Sequence, residues 1–297
     1  MADFLLLIVT LLASAGWMFS KEALEGLPPL LFIGTRFFLA GMVIALFCLP
    51  TLRRLNRQAY WQGIKVGLMF GGAMICWIHG LYHIQHVGEG AFITSMAVVL
   101  VPVFARLWFR EQPEWSTWLA LPVAVTGLGF LSLNNGFRLE PGQLFFLMAA
   151  VVFALHFNMI TQAVKHLNAL PLTAIQLLVV GVMTFSLSVA TESWPDRIAP
   201  DIAGWVLASA LIATSLRFFI QTHAQGLAPA SHAALILTVE PIWTALVASF
   251  WLGETMSAYQ LLGCSCIFAA LIISRWRWVM LLTGRKQPAL PARKQDD

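Results

Sequence analysis

The sequence predicts an all-α membrane protein, with ten transmembrane helices set as two inverted five-helix repeats around a central cavity. Three observations carry that prediction. Hydrophobic residues fill 59% of the 297 positions and charged residues only 11%. The surface of a soluble globule of 32.8 kDa cannot hide so much apolar side chain, so a bilayer has to act as the solvent. The apolar positions fall into ten stretches, each near the ~20 residues a helix needs to cross hydrocarbon. Finally, the second half of the chain repeats the first.

Charges and turn residues bound the ten stretches at 3–20, 29–49, 64–84, 89–108, 115–134, 142–163, 171–190, 203–224, 229–251 and 257–275. The first lacks a basic n-region and an A-x-A-type site and runs through Lys21 into Pro29, so it reads as a retained helix and not a cleaved signal. The connections are short, and each helix turns straight back. The expected divisions are a first repeat over 1–136, a second over 137–276 and a polar tail over 277–297 that is expected to be disordered.

Lys and Arg set the orientation. Arg53, Arg54, Arg57, Lys65, Arg110, Lys165 and the basic tail gather on one side, against Lys21, Arg138 and Arg197 on the other. Both termini are therefore expected in the cytoplasm. The net charge of +4 comes from these anchors and not from a basic soluble domain, so nucleic acid is no expected partner. Cys48, Cys76, Cys264 and Cys266 sit in apolar spans without metal-ligand context, and no metal or cofactor is expected. The expected partners are a small-molecule substrate and the lipid bilayer, with the protein a monomer or homodimer.

The repeat appears at an offset of 143, from Ala91 on Ala234 to Glu111 on Glu254. Ile93 then meets Ile236, Ala105 meets Ala248 and Trp108 meets Trp251 without a gap. Five crossings per half is an odd number, so the second half enters from the opposite face. Inverted repeats of this kind are the usual build of secondary transporters, because each half can open its own side in turn.

Trp17 with Lys21 closing helix one, Pro28-Pro29 opening helix two and Arg36 within it resemble the start of an EamA repeat. The stretch TVEPIWTALVASFWLGETMSAYQLLGC, Thr238 to Cys264, is similar to that repeat's final helix pair. The likeness, to the EamA family of the drug/metabolite transporter superfamily, covers residues 4–275. It implies a ten-helix exporter of small organic metabolites, often amino acids, in the inner (plasma) membrane of a bacterium with both termini inside. Within the family the chain resembles the aromatic amino-acid exporters. It departs from the pattern at Pro102, four residues beyond the equivalent of Pro241, so the break in helix four is expected one turn late.

A charge near the bilayer centre costs about 2.5–3.5 kcal/mol on insertion scales, so charges that stay there need a partner or a wet cavity. Glu240 stands mid-way along helix nine, and Pro241 removes a backbone donor beside it. The carboxyl can bind an ammonium, take a proton, or pair with Arg36 or Arg217. Either arginine can instead clamp a substrate carboxylate. His79, Tyr82, His83 and His86 follow i, i+3, i+4, i+7 and form one polar-aromatic face of helix three, where Gly67, Gly71 and Gly72 admit a close neighbour. Trp17, His79, Tyr82, Asn158, Glu240, Trp243, Arg36 and Arg217 are the candidate substrate-binding residues, and Pro102 and Pro241 the candidate gating residues.

No Walker A loop, H-E-x-x-H, G-x-S-x-G or EF-hand sequence is present, so any driving energy is expected to come from gradients. The expected function is export of small amphiphilic metabolites, neutral or aromatic amino acids first, by alternating access. Drug-like cations or sugars are the alternative cargo. A membrane-embedded enzyme ranks lower, because Glu240 and scattered histidines make no paired acid or nucleophile–base set.

Overall fold

The computed structural model describes residues 1–82, 93–132, 141–252 and 258–274. Every regular element among them is helical. The first half holds α1 (Ala2–Leu24), α2 (Pro29–Phe47), the short α3 (Leu49–Arg53), α4 (Arg57–Tyr82), α5 (Ala97–Leu107) and α6 (Trp115–Ser132). The second half holds α7 (Pro141–Ala163), α8 (Ala169–Thr191), α9 (Pro200–Ala210), α10 (Arg217–Gln225), α11 (Ala230–Leu237), α12 (Glu240–Leu252) and α13 (Ala258–Ser274). A π-helical turn, Leu211–Leu216, joins α9 to α10.

Six helical units are long and apolar enough to cross a membrane: α1, α2, α4 as far as Gly80, α7 from Gly142, α8 and the unit from Pro200 to Gln225. Three shorter apolar helices run over Ile93–Leu107, Trp115–Phe130 and Leu261–Ile273. Large apolar side chains also face outward, as a lipid-facing surface allows: Phe47 of α2 is 80% and Phe250 of α12 90% exposed, which water would penalise and lipid tails do not. One boundary differs from expectation. Helix three begins at Arg57, ahead of the apolar stretch, because Asn56 Oδ1 accepts the Ala59 N–H at 2.8 Å and caps it.

Small residues set the helix pairing. In α2 and α8, which run antiparallel, Gly34 lies against the Phe185 backbone and Gly41 against Leu178. Glu192 ties one end of this pair, accepting the Leu30 and Leu31 N–H groups at 2.8 Å each and so satisfying the first turn of α2. In α4 and α8, which run parallel, Gly63, Gly67 and Gly71 form a stripe on α4 that receives Ile175, Val179 and Met183. Gly72, expected to help, has nothing within 4 Å of a Cβ built on it and plays no part in the approach. Elsewhere α6 packs on α13, α4 on α7, and α1 against α9 through α12.

Helix nine is interrupted at Thr238 and Val239, directly ahead of Glu240-Pro241. There the Val239 N–H reaches only to Ile236 O at 3.1 Å, and the Ile242 N–H to Val239 O at 3.0 Å. Helix four is interrupted at Met96, whose N–H reaches Ile93 O at 3.1 Å while Val99 N–H reaches Met96 O at 3.0 Å. Met96 plus 143 is 239, so the two breaks are in register. The break in helix four is therefore not displaced to Pro102, which lies inside the continuous α5. Pro102 has no N–H to give the Val98 carbonyl, yet α5 continues through it.

Replacing Gly34 by Ala would put a Cβ 2.7 Å from the Phe185 Cα and force α2 off α8, whereas Gly72→Ala meets nothing. The expected outcome is a lower thermal midpoint in detergent for Gly34→Ala and an unchanged one for Gly72→Ala.

Candidate functional site

Glu240 opens α12 immediately after the broken turn, so its side chain leaves a point where the helix backbone is itself irregular. Its two oxygens have different partners. Trp17 Nε1, from the middle of α1, donates to Oε1 at 3.1 Å, and Arg217 Nη2, the first residue of α10, reaches Oε2 at 3.4 Å. The Trp17 indole meets Trp77 of α4 edge-on with centroids 5.5 Å apart. One residue therefore brings together α1, α10 and α12, and through Trp17 also α4.

The pair with Arg217 is loose. It is a single contact, not the bidentate fork that a guanidinium and a carboxylate can make, and the two side chains remain 19% and 23% exposed. Arg217 Nε is buried and has no hydrogen-bond partner among the described residues. The guanidinium lies 4.7 Å from the Phe218 ring centroid.

Arg36 is held differently. It is 8% exposed, and its donors go to Thr214 Oγ1, Ser20 Oγ at 2.9 Å and Ala213 O at 3.3 Å. The Phe32 and Phe37 rings stand 5.7 Å away, within cation–π range. The π-helical turn is what makes this possible. Thr214 Oγ1 and Ser215 Oγ donate to Ser209 O and Ala210 O, five residues back, and the widened turn leaves Ala213 O and Thr214 facing α2. Arg36 is thus locked among neutral acceptors, and the carboxylate goes to Arg217.

The other expected site residues do not gather here. Asn158 is fully buried and donates through Nδ2 to Val101 O at 3.0 Å and Ala154 O at 2.9 Å, clamping α7 to α5 next to Pro102. His79 turns to its own helix, Nδ1 lying 2.9 Å from Ile75 O, with its ring 5.8 Å from that of Phe145. Trp243 packs on the cluster of Leu128, Val239, Ile242, Cys264 and Ile267, between the broken helix and the α6–α13 pair. Tyr82 is the last residue of α4, and the rest of its stripe, His83 and His86, lies outside the described residues. The backbone of Pro241 continues α12 from Glu240. A cleft of about 380 Å³ lies at the Arg57 end, lined by Asn56, Gln58, Gln62 and His166, and it includes none of the expected site residues.

Three participants escaped the sequence reading. Ser20 and Thr214 look like ordinary small polar residues within apolar spans, and a π turn has no compositional mark. Trp77 was legible as an aromatic in helix three, but not as the neighbour of Trp17.

An all-helical bundle with lipid-facing sides and charges paired at its centre defines a multi-pass membrane protein. The chain belongs to the EamA-like transporter family, whose model matches residues 1–133 and again 140–276. An uncharacterized transporter of Archaeoglobus fulgidus is 27% identical over 92% of this chain and 85% of its own length. The uncharacterized transporter YvbV of Bacillus subtilis is 24% identical over 91% of this chain and 90% of its own. A solved crystal structure with 15% sequence identity superposes with a TM-score of 0.81 over 94% of this chain and 98% of that one, showing the shared fold. The chain is a membrane transporter, within the drug/metabolite transporter superfamily.

The two arginines are expected to separate in their effects. Arg36→Lys loses the three-way fork, at about 1.5–3 kcal/mol for each charged hydrogen bond, and lowers the thermal midpoint in detergent. Arg217→Lys, with one long contact to lose, leaves that midpoint nearly unchanged.

Proposed function

We propose that this protein is a secondary transporter that exports small amphiphilic metabolites, neutral and aromatic amino acids above all, by alternating access. The observation that carries the reading is the loose Arg217–Glu240 pair beside the Trp17 and Trp77 indoles. An α-amino acid presents the complementary pair of charges. Its carboxylate replaces Glu240 on Arg217, where Nε is free to complete a bidentate grip, and its ammonium takes the Glu240 carboxylate. An apolar or aromatic side chain then lies against the indoles. Arg36 is close enough for both charges to act on it, so among the described residues this centre sets two positive groups against the Glu240 carboxylate. That surplus favours a solute with a carboxylate and disfavours a drug-like cation.

The machinery proposed is ten spans in two inverted halves, with α11–α12 counted as one. Supporting it, the equivalent helices α2 and α8 run antiparallel, and the pairings are symmetric: α4 with α7 answers α9–α10 with α1. Supporting it too, both candidate gates are interrupted at positions 143 residues apart. A helix with i→i−3 bonds at one point bends there more readily than an intact one. The Lys and Arg distribution supports an inner-membrane orientation with Arg53 and Lys165 in the cytoplasm. The outward apolar faces of α6 and α13, with Trp115 75% and Ile272 56% exposed, suit lipid or a second copy.

Proteoliposomes loaded with phenylalanine test the proposal by exchange of labelled solute. Wild-type protein should exchange it, and Glu240→Gln, which keeps the shape and removes the charge, should lose at least about tenfold. Normal exchange in that variant from pH 5.5 to 8 would make Glu240 a structural residue, and no exchange of any amino acid by the wild type would overturn the substrate class. For topology, a cysteine at Lys21 should react with an impermeant reagent from outside and one at Lys165 from inside; the opposite pattern would reverse the orientation.

A further inference from the structure

Buried carboxamides in this bundle fall into two groups. Gln176 is fully buried and uses both ends of its amide. Its Oε1 meets His156 Nε2 at 3.1 Å and its Nε2 donates to Thr222 Oγ1 at 3.3 Å, with the His156 ring stacked on Phe70. This is the structural pattern, a polar group in an apolar setting with both ends of the amide engaged. Gln225 is 1% exposed, and neither its Oε1 nor its Nε2 has a hydrogen-bond partner among the described residues. Gln221, one turn before it on the same face of α10, is 5% exposed with Oε1 unpartnered, and Asn158 is fully buried with Oδ1 unpartnered.

Asn158 and Gln225 border one seam, and Gln221 lies one turn away from it on α10. Asn158 donates to Val101 O, and Val101 belongs to a core cluster with Leu6, Ala224, Ala230 and Ala233. Gln225 follows Ala224 directly and closes α10 just before α11 begins at Ala230. The seam is shut by apolar side chains alone, alanines from α7, α10 and α11 set among Leu6, Val101, Phe157 and Ile236. Past it, toward the chain's N-terminus, His232 Nε2 and Asp3 Oδ1 meet at 3.0 Å and join α11 to α1. Amides left unsatisfied behind an apolar seal are better solvated when the seal is open, since an unmade hydrogen bond in an apolar setting is unfavourable and water or a polar solute restores it.

We infer that Asn158, Gln221 and Gln225 form a second recognition station on the transport path, at the cytoplasmic side of Glu240, where their amides hydrogen-bond the ammonium and carboxylate of an amino acid before it reaches the Arg217–Glu240 pair. The inference rests on the alternating-access reading above and deepens it. Amide groups carry both donors and acceptors without net charge, so they hold a zwitterion loosely and release it onward.

The test uses the full chain with its four cysteines replaced by alanine. Cysteine placed singly at Gln225, and at Gln221 as a second position, should react with a small impermeant methanethiosulfonate reagent applied to inside-out vesicles and not to right-side-out ones. A cysteine at Trp17 reports the central site. Labelling of Trp17→Cys with both rim positions sealed from either side overturns the station and leaves alternating access standing; no labelling at any of the three overturns both. Where phenylalanine slows labelling of Trp17→Cys, it should also slow that of Gln225→Cys; protection at the centre alone shows that the rim does not hold the solute. Gln225→Leu, which removes the unpartnered amide, should raise the thermal midpoint in detergent by roughly 2–4 °C. A lowered midpoint, or failure to fold, makes Gln225 a structural residue like Gln176 and overturns the proposal.

Discussion

A carboxylate at the depth of a bilayer must find its counter-charge inside the protein, and the arrangement at the centre of this bundle follows from how Glu240 does so. Water is not there to solvate the ion, and an isolated charge in hydrocarbon is strongly disfavoured. Glu240 is therefore met by Trp17 from α1 and Arg217 from α10, two elements on which α1 packs or to which it belongs. Removing one member of a buried pair typically costs about 3–5 kcal/mol because the other is left uncompensated. The long single contact with Arg217 keeps that coupling weaker than a fork would.

The second arginine shows the opposite solution. Arg36 pairs with no carboxylate among the described residues; neutral acceptors and two phenylalanine faces surround it. An α-helix satisfies its own carbonyls and offers few to a neighbour, so α9 and α10 are joined through a π turn that presents Ala213 O and Thr214 to α2. The irregular backbone there is tolerated because it is buried in protein and meets a donor. One local departure from helical geometry thus positions Arg36, and it immediately precedes Arg217 in the chain.

The interruptions at Met96 and Val239 are irregular in the same sense, though their cause differs between the halves. Pro241 sits beside its break, whereas Pro102 stands six residues past Met96 and within an intact helix. Proline chemistry alone therefore does not set the position of the break in helix four. The shared feature is the repeat register itself, which places both breaks where α5 and α11 pack against each other.

Much of this protein follows from local sequence. The excess of apolar residues requires a bilayer, Pro28-Pro29 requires α2 to start where it does, and the 143-residue offset by itself aligns helices four and nine. Glu240 was legible because a single acid in an apolar span stands out against its neighbours. Tertiary structure decided what such residues touch. Arg36 and Arg217 were equivalent candidates for Glu240 in the sequence, and only the packing of α1, α2 and α10 gave the carboxylate to one and neutral oxygens to the other. Asn158 and Trp243 read as path-lining residues, and only the packing shows that the first also clamps α7 to α5 and that the second lies beside α6 and α13. Gln176 and Gln225 are the same residue type in similar apolar surroundings, and only the neighbours brought by the fold leave one amide satisfied and the other bare. Hydrophobic periodicity records which face of a helix is buried, but the partner of a buried polar atom comes from another helix, and that information lies in the packing alone.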